Sequence, residues 1–310
     1  MVFFVMSGFL VSKSAMRAIN ENNLGMYFVN RFVRLYVVLI PALILTFFMD
    51  TVLINQLKGY VEVSLIQMIE NRTSTISFFG NMFFLQDILV PRFGSNGPLW
   101  SLANEFWYYV LYPLIVLVIF RPLKYWKKLY VTSLVIGLLL ILPISITKLF
   151  VLWLIGASIW YIQKPIIKNP IVSLTVFLII LTLSYMDFFQ RSPFGFISQV
   201  GTATSFALVI NSLIFYEKNH VNSYYKKINH IFADFSYSLY ILHFPLLLVL
   251  NALIIKHVGI ENMEIDSFIG FSIFIFLLLS IYLYPFFIYL LTEKHTSKLQ
   301  HFFCYIFNKK

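Results

Sequence analysis

The sequence predicts an all-α fold: a polytopic transmembrane helix bundle with about eight full spans and one partial N-terminal span. Three observations carry this. Of 310 residues, 60% are hydrophobic and only 12% are charged, about half the charged share of a soluble globular domain, and the mean hydropathy is +0.83. Apolar stretches near the ~20 residues needed to cross a bilayer recur along the chain. Lys and Arg gather in alternate gaps between them. A soluble fold of this length has too little interior for so much apolar surface, and the composition excludes a disordered tail and a disulfide scaffold.

Met1 to Val11 is apolar but short, and Lys13 and Arg17 follow it. A signal peptide places its basic residues first, so this is either an interfacial segment or the second half of a helix. Full spans are expected near 35–54, 99–120, 129–146, 149–163, 171–189, 194–216, 231–255 and 267–291. Only Thr147 and Lys148 separate the third from the fourth. The pair reads as a tight helical hairpin, with a single broken helix as the alternative. Between the first two spans lies a long loop in which Ser77 to Val90 is apolar but too short to cross, a re-entrant or interfacial helix. There is no internal repeat and no soluble domain, so residues 1–310 are expected to form one membrane domain.

The formal charge is +10. The basic residues sit between apolar spans and do not form one patch, which argues against nucleic-acid binding. With the loop at 13–34 placed in the cytoplasm and each span changing sides, 17 of the 23 Lys and Arg lie inside and 6 outside. That bias supports the topology and puts the C-terminus in the cytoplasm. The single cysteine, Cys304, allows no internal disulfide and no Cys-based metal site.

Ionisable groups within spans are expensive, so each is a functional candidate. Glu105 shares a helix face with Ser101, Tyr108 and Tyr112; the bland alternative is an interfacial carboxylate. His243 sits mid-span on a stripe with Ser236 and Tyr240, either catalytic or a satisfied core histidine. Asp50 and Asp187 read as boundary groups and Asp234 as an N-cap. Arg31 and Arg34 are either plain cytoplasmic anchors or a guanidinium clamp for a phosphorylated ligand. No phosphate-cradling glycine loop, zinc helix or Gly-x-Ser-x-Gly elbow appears.

Four segments in order resemble the acyltransferase-3 family of membrane acyltransferases. They are Phe3 to Leu10 around Ser7-Gly8-Phe9; Arg31-Phe32-Val33-Arg34; Pro98-Leu99-Trp100-Ser101-Leu102 with Glu105, running on to Tyr109 and Tyr112-Pro113; and Ser236 to Pro245. The resemblance covers nearly the whole chain. It implies transfer of an acyl group, commonly acetyl, from acyl-CoA to a hydroxyl, commonly on a surface polysaccharide or another glycan. It implies acyl-CoA as co-substrate with no bound cofactor and no metal. Arg31 and Arg34 would meet the acyl-CoA, Glu105 and His243 would serve catalysis, and Ser7, Trp100, Ser101 and Tyr240 would contact substrate.

Family members typically have ten helices, the first carrying Arg, ten residues, then an essential His. No such element precedes Ser7, so the resemblance is to an N-terminally truncated member, expected to be inactive as written. The expected location is a bacterial plasma membrane, with the lipid bilayer, acyl-CoA and a hydroxyl acceptor as partners and no nucleic acid. Oligomeric state is not legible. The competing function is a transporter or flippase of a small polar or lipid-linked substrate. That reading calls for two related halves with broken helices, which the sequence does not display.

Overall fold

The computed structural model of the chain describes residues 1–186, 194–220, 235–259 and 267–308. Asp187, Asp234 and the cations at 191, 226, 227, 309 and 310 lie outside them. The described elements are helices with one isolated backbone bridge between Gln86 and Val90. In order they are α1 (Val2–Asn20), α2 (Leu24–Gln56), α3 (Val63–Arg72), α4 (Thr75–Met82), α5 (Leu99–Phe120), α6 (Tyr125–Ile141), α7 (Ile144–Ser158), α8 (Pro170–Ser184), α9 (Phe194–His220), α10 (Ser236–Val258), α11 (Phe268–Leu291) and α12 (Thr296–Asn308). Among the described residues seven helices are long and apolar enough to cross a membrane. The chain is an integral membrane protein.

Three expectations are corrected. The N-terminal segment does not stop at Val11: α1 runs 19 residues through Lys13 and Arg17 to Asn20, long enough to cross. Its basic residues find local partners: Arg17 pairs with Glu21 one turn on, at 2.8 Å, in an exposed position, and the Lys13 ammonium lies over the Trp160 ring. Helix α2 starts at Leu24 rather than at 35, so Arg31 and Arg34 lie within a helix of 33 residues. The break between the third and fourth expected spans falls at Leu142-Pro143, not at Thr147-Lys148. Pro143 cannot donate into a helix interior and disfavours helical backbone at Leu142, which is extended (φ −71°, ψ 133°).

The described residues fall into two compact units, with boundaries inside α2 and α5. The first holds residues 1–28 and the described part of 104–227. Its core gathers Val5, Leu152, Ile159, Ala203 and Ala207 from α1, α7, the turn after α7, and α9. Helices α1 and α7 approach backbone to backbone. A Cβ on Gly8 would collide with the carbonyl oxygen of Trp153, and one on Gly156 with that of Val5. Only glycine at both points permits that spacing, the device by which membrane helices gain contact without a hydrophobic drive between them.

The second unit holds residues 29–103 and the described part of 228–310. One core cluster joins Leu53 and Leu57 at the end of α2, Ile66 and Ile69 of α3, and Ala252 of α10. Helix α11 is apolar all round and leaves Phe268, Phe271, Phe276 and Phe287 exposed, as a helix facing lipid does.

Between α4 and α5 the chain runs beside α2. The Phe84 ring meets Tyr36 edge-on at 5.4 Å, Asn96 Nδ2 donates to Thr46 Oγ1 at 2.9 Å, and Ser95 N–H donates to Asp50 Oδ2 at 2.9 Å. Tyr36 to Asp50 is about 21 Å along a helix, so irregular backbone follows a spanning helix over much of its length. Such backbone is tolerated at membrane depth only where protein satisfies it. Asn81 does much of this, donating through Nδ2 to the carbonyls of Ser77 and Pro91 and accepting through Oδ1 from Phe93 N–H.

Candidate functional site

The polar groups of the second unit converge through two of the four sequence elements. Ser101, on the first turn of α5, and Tyr240 of α10 join hydroxyl to hydroxyl at 2.8 Å. Pro245 explains the next link. Proline has no N–H, so the carbonyl four residues back, Ile241, has no donor within the helix. Asn96 Nδ2 supplies one at 3.1 Å. The first unit repeats the device: Pro113 leaves the Tyr109 carbonyl open, and the buried Tyr27 hydroxyl donates to it at 3.2 Å. The prolines of both elements thus create acceptors that other segments use.

His243 lies one turn beyond Tyr240 and is half-buried. Its Nδ1 faces the Tyr240 carbonyl at 2.8 Å and the Leu239 carbonyl at 3.2 Å. Carbonyls only accept, so Nδ1 serves as a donor, and Nε2 is the ring nitrogen that these bonds leave over. The ring is oriented by its own helix through Nδ1.

At the start of α10, Ser238 Oγ donates to Glu293 Oε2 at 2.7 Å and the Ser238 N–H reaches the same oxygen at 3.3 Å. Glu293 lines a polar cavity of about 360 Å³ with Arg34, Tyr289, Lys294, Thr296, Ser297 and Gln300. Gln300 ties α12 to α2 by donating to the Asn30 carbonyl at 3.0 Å. Two cations against one carboxylate give the cavity a positive balance, and hydroxyls add neutral donors. The chemistry suits a phosphorylated group. A second cavity, apolar and about 840 Å³, runs along α2 from Val29 to Pro41 against Leu291, Leu299 and Phe303, with His295 and Lys298 also lining it.

Of the residues expected from sequence, Ser101, Tyr240 and His243 therefore meet in one unit, where Arg34 lines the polar cavity. Arg31, half-buried, is not among the residues lining either cavity. Trp100 is half-buried at the start of α5. Glu105 and Ser7 belong to the first unit. Glu105 is buried and accepts from Tyr109 Oη at 3.0 Å. Ser7 accepts from Trp153 Nε1 at 3.1 Å, beside the Gly8 contact, and so serves the α1–α7 seam. Among the described residues no group of three or more His, Cys, Asp or Glu is placed to hold a metal.

Sequence reasoning missed Asn96, Ser238 and Glu293. Pro245 was the available signal for Asn96, since a helix proline announces an open carbonyl. Ser238 lay inside a quoted element, but nothing local marked Glu293 as its partner.

An uncharacterized protein of Haemophilus influenzae is 24% identical to this chain over 151 residues, which cover 45% of the chain and 57% of that protein. No solved structure matches. Residues 1–290 match the acyltransferase-3 family, described as an acyltransferase domain, and with the four sequence elements falling inside that match, the chain belongs to the acyltransferase-3 family.

Proposed function

We propose that this protein is the membrane part of an acyltransferase that takes an acyl group, acetyl in the commonest case, from acyl-CoA and places it on a hydroxyl of a surface polysaccharide or another glycan. The observation that carries the donor assignment is the polar cavity. There the Arg-x-x-Arg element, through Arg34, meets Glu293, which the Ser236 to Pro245 element holds through Ser238. The cations Arg34 and Lys294 suit phosphate, and the apolar cavity on the same stretch of α2 suits the pantetheine arm and acyl group. The cavity end of α2 is then cytoplasmic, in a bacterial plasma membrane, as the Lys and Arg bias favours.

In the reaction proposed, the acceptor hydroxyl loses its proton to a base as its oxygen attacks the thioester carbonyl. The carbon–sulfur bond breaks, and the CoA thiolate leaves and takes up the proton. His243, its ring held through Nδ1 and its Nε2 left over by those bonds, is the residue we assign to that base role. Glu105 is kept as a second catalytic candidate, and Ser7, Trp100, Ser101 and Tyr240 as groups shaping the substrate path.

The test is acyl-CoA binding to the purified protein by calorimetry at several salt concentrations. Arg34→Ala should weaken binding by about ten- to a hundredfold, the equivalent of one charged hydrogen bond. Arg31→Ala should weaken it less, because Arg31 does not line the cavity. Unchanged affinity for Arg34→Ala at all salt concentrations refutes the donor assignment.

A further inference from the structure

Asp50 is fully buried in α2. Among the described residues it forms no ion pair, and its hydrogen-bond partner is Ser95, whose N–H donates to Oδ2 at 2.9 Å. A buried carboxylate without counter-charge is among the costliest groups a fold can hold. Its other oxygen, Oδ1, is buried with no partner among the described residues, as is Asn96 Oδ1.

The residues that carry these atoms are neighbours. Thr46 and Asp50 are one turn apart on α2, about 6 Å of rise. Ser95 and Asn96 are consecutive, and they are fixed to that same turn by the Ser95–Asp50 and Asn96–Thr46 bonds. Asn96 Nδ2 also donates to the Ile241 carbonyl, and these two bonds from one nitrogen fix the orientation of the amide. Gly94 shows how closely the loop presses on the carboxylate. Its φ is +53°, and a Cβ there would collide with Asp50 Oδ2.

We propose that Asp50, Ser95 and Asn96 form a binding site for a single sodium ion. The donor set is a carboxylate, an amide carbonyl and a hydroxyl, all hard oxygen ligands. The buried atoms that lack partners are two acceptor oxygens, and the carboxylate lacks a counter-charge, a combination that a small cation meets. One carboxylate balances one positive charge. A divalent ion would leave an unmatched charge in an apolar surrounding, where multi-carboxylate sites are the rule. A water would satisfy the acceptors but leave the carboxylate unneutralised. Irregular backbone beside a spanning helix is where membrane proteins assemble ion ligands.

The site lies about 24 Å along α2 from Arg34, so it is independent of the acyl-CoA assignment. The experiment uses the whole chain purified in detergent. Radioactive sodium should bind saturably with one site per chain. The thermal unfolding midpoint should rise with sodium chloride relative to N-methylglucamine chloride of equal ionic strength, as any ligand selective for the native state requires. Asp50→Asn keeps the shape, removes the charge, and should abolish both effects. Absence of saturable binding to the unmodified protein overturns the proposal whether or not the variant folds. So does a midpoint that follows pH but not sodium, which assigns the place to a proton, or an undiminished sodium response in Asp50→Asn.

Discussion

Replacing Gly156 with Ala adds one methyl group at the α1–α7 contact, where both sides are backbone. The added Cβ meets the Val5 carbonyl, with the Val5 carbonyl carbon and Cα close behind. No rotamer change relieves this, so the helices must part by on the order of 1 Å. A gap of that size forfeits about a quarter to a half of each dispersion contact along the seam, and overpacking of this kind typically costs about 1–3 kcal/mol. Separation would also draw Trp153 Nε1 away from Ser7. Opposing this, Ala is a better helix former than Gly by about 0.8–1 kcal/mol. Overpacking wins, leaving a net loss of up to about 2 kcal/mol. Gly137 of α6 is the control, because a Cβ there meets nothing within 4 Å. Gly137→Ala should gain up to about 1 kcal/mol from propensity alone. The assay is reversible unfolding in mixed detergent–SDS micelles, read by tryptophan fluorescence. Gly156→Ala proving as stable as Gly137→Ala would refute the backbone-contact account of this seam.

Two other perturbations test the polar links. A double-mutant cycle of Ser101→Ala and Tyr240→Phe should give a coupling of about 0.5–1.5 kcal/mol, the range for hydrogen bonds within membrane proteins, and strict additivity in unfolding would dismiss the bond. Asn96→Ala should cost about 1–3 kcal/mol by leaving the Ile241 carbonyl without a donor; in a Pro245→Ala background, where a helix N–H returns to that carbonyl, the same change should cost measurably less, and an equal penalty in both backgrounds would contradict the role assigned to proline.

The helical, membrane-bound character was legible because it depends on composition and on the length of apolar runs, which the bilayer itself enforces. The limits of the helices were less legible where charge and packing compete. Arg17 lies in α1 because Glu21 pairs with it one turn on, and α2 extends back to Leu24 because Tyr27 has a buried acceptor waiting in Tyr109. Glu21 is local to Arg17 but invisible to a hydropathy window, and Tyr109 is 82 residues from Tyr27. The hairpin break shows the reverse error. Two polar residues, Thr147 and Lys148, looked like a boundary, while Pro143 acts more strongly because it removes a backbone donor and restricts its neighbour.

The site was partly legible for a similar reason. Arg34 and His243 carry chemistry in their own side chains, so residue type was enough to nominate them. Ser7, Ser101 and Tyr240 were nominated as substrate contacts by resemblance, yet each has a partner within the fold: Trp153 for Ser7, and Ser101 and Tyr240 for one another. Each bond fixes where the hydroxyl sits while leaving it further hydrogen-bonding capacity, since a hydroxyl has one donor and two acceptor sites. This separates two uses of the same element. In Ser236 to Pro245, Ser238, Tyr240 and Pro245 fix α10 to Glu293, Ser101 and Asn96 in turn, and His243 is the member whose Nε2 this bonding leaves over. Asp50 passed as a boundary group because its position near the end of an apolar run suggested exposure. Burial is set by the loop from 83 to 98 folding back along α2, a non-local event that no window of the sequence contains. Substitutions at Ser238 or Pro245 should therefore act first on stability and on the placement of Glu293 and Asn96, whereas a change at His243 should spare both.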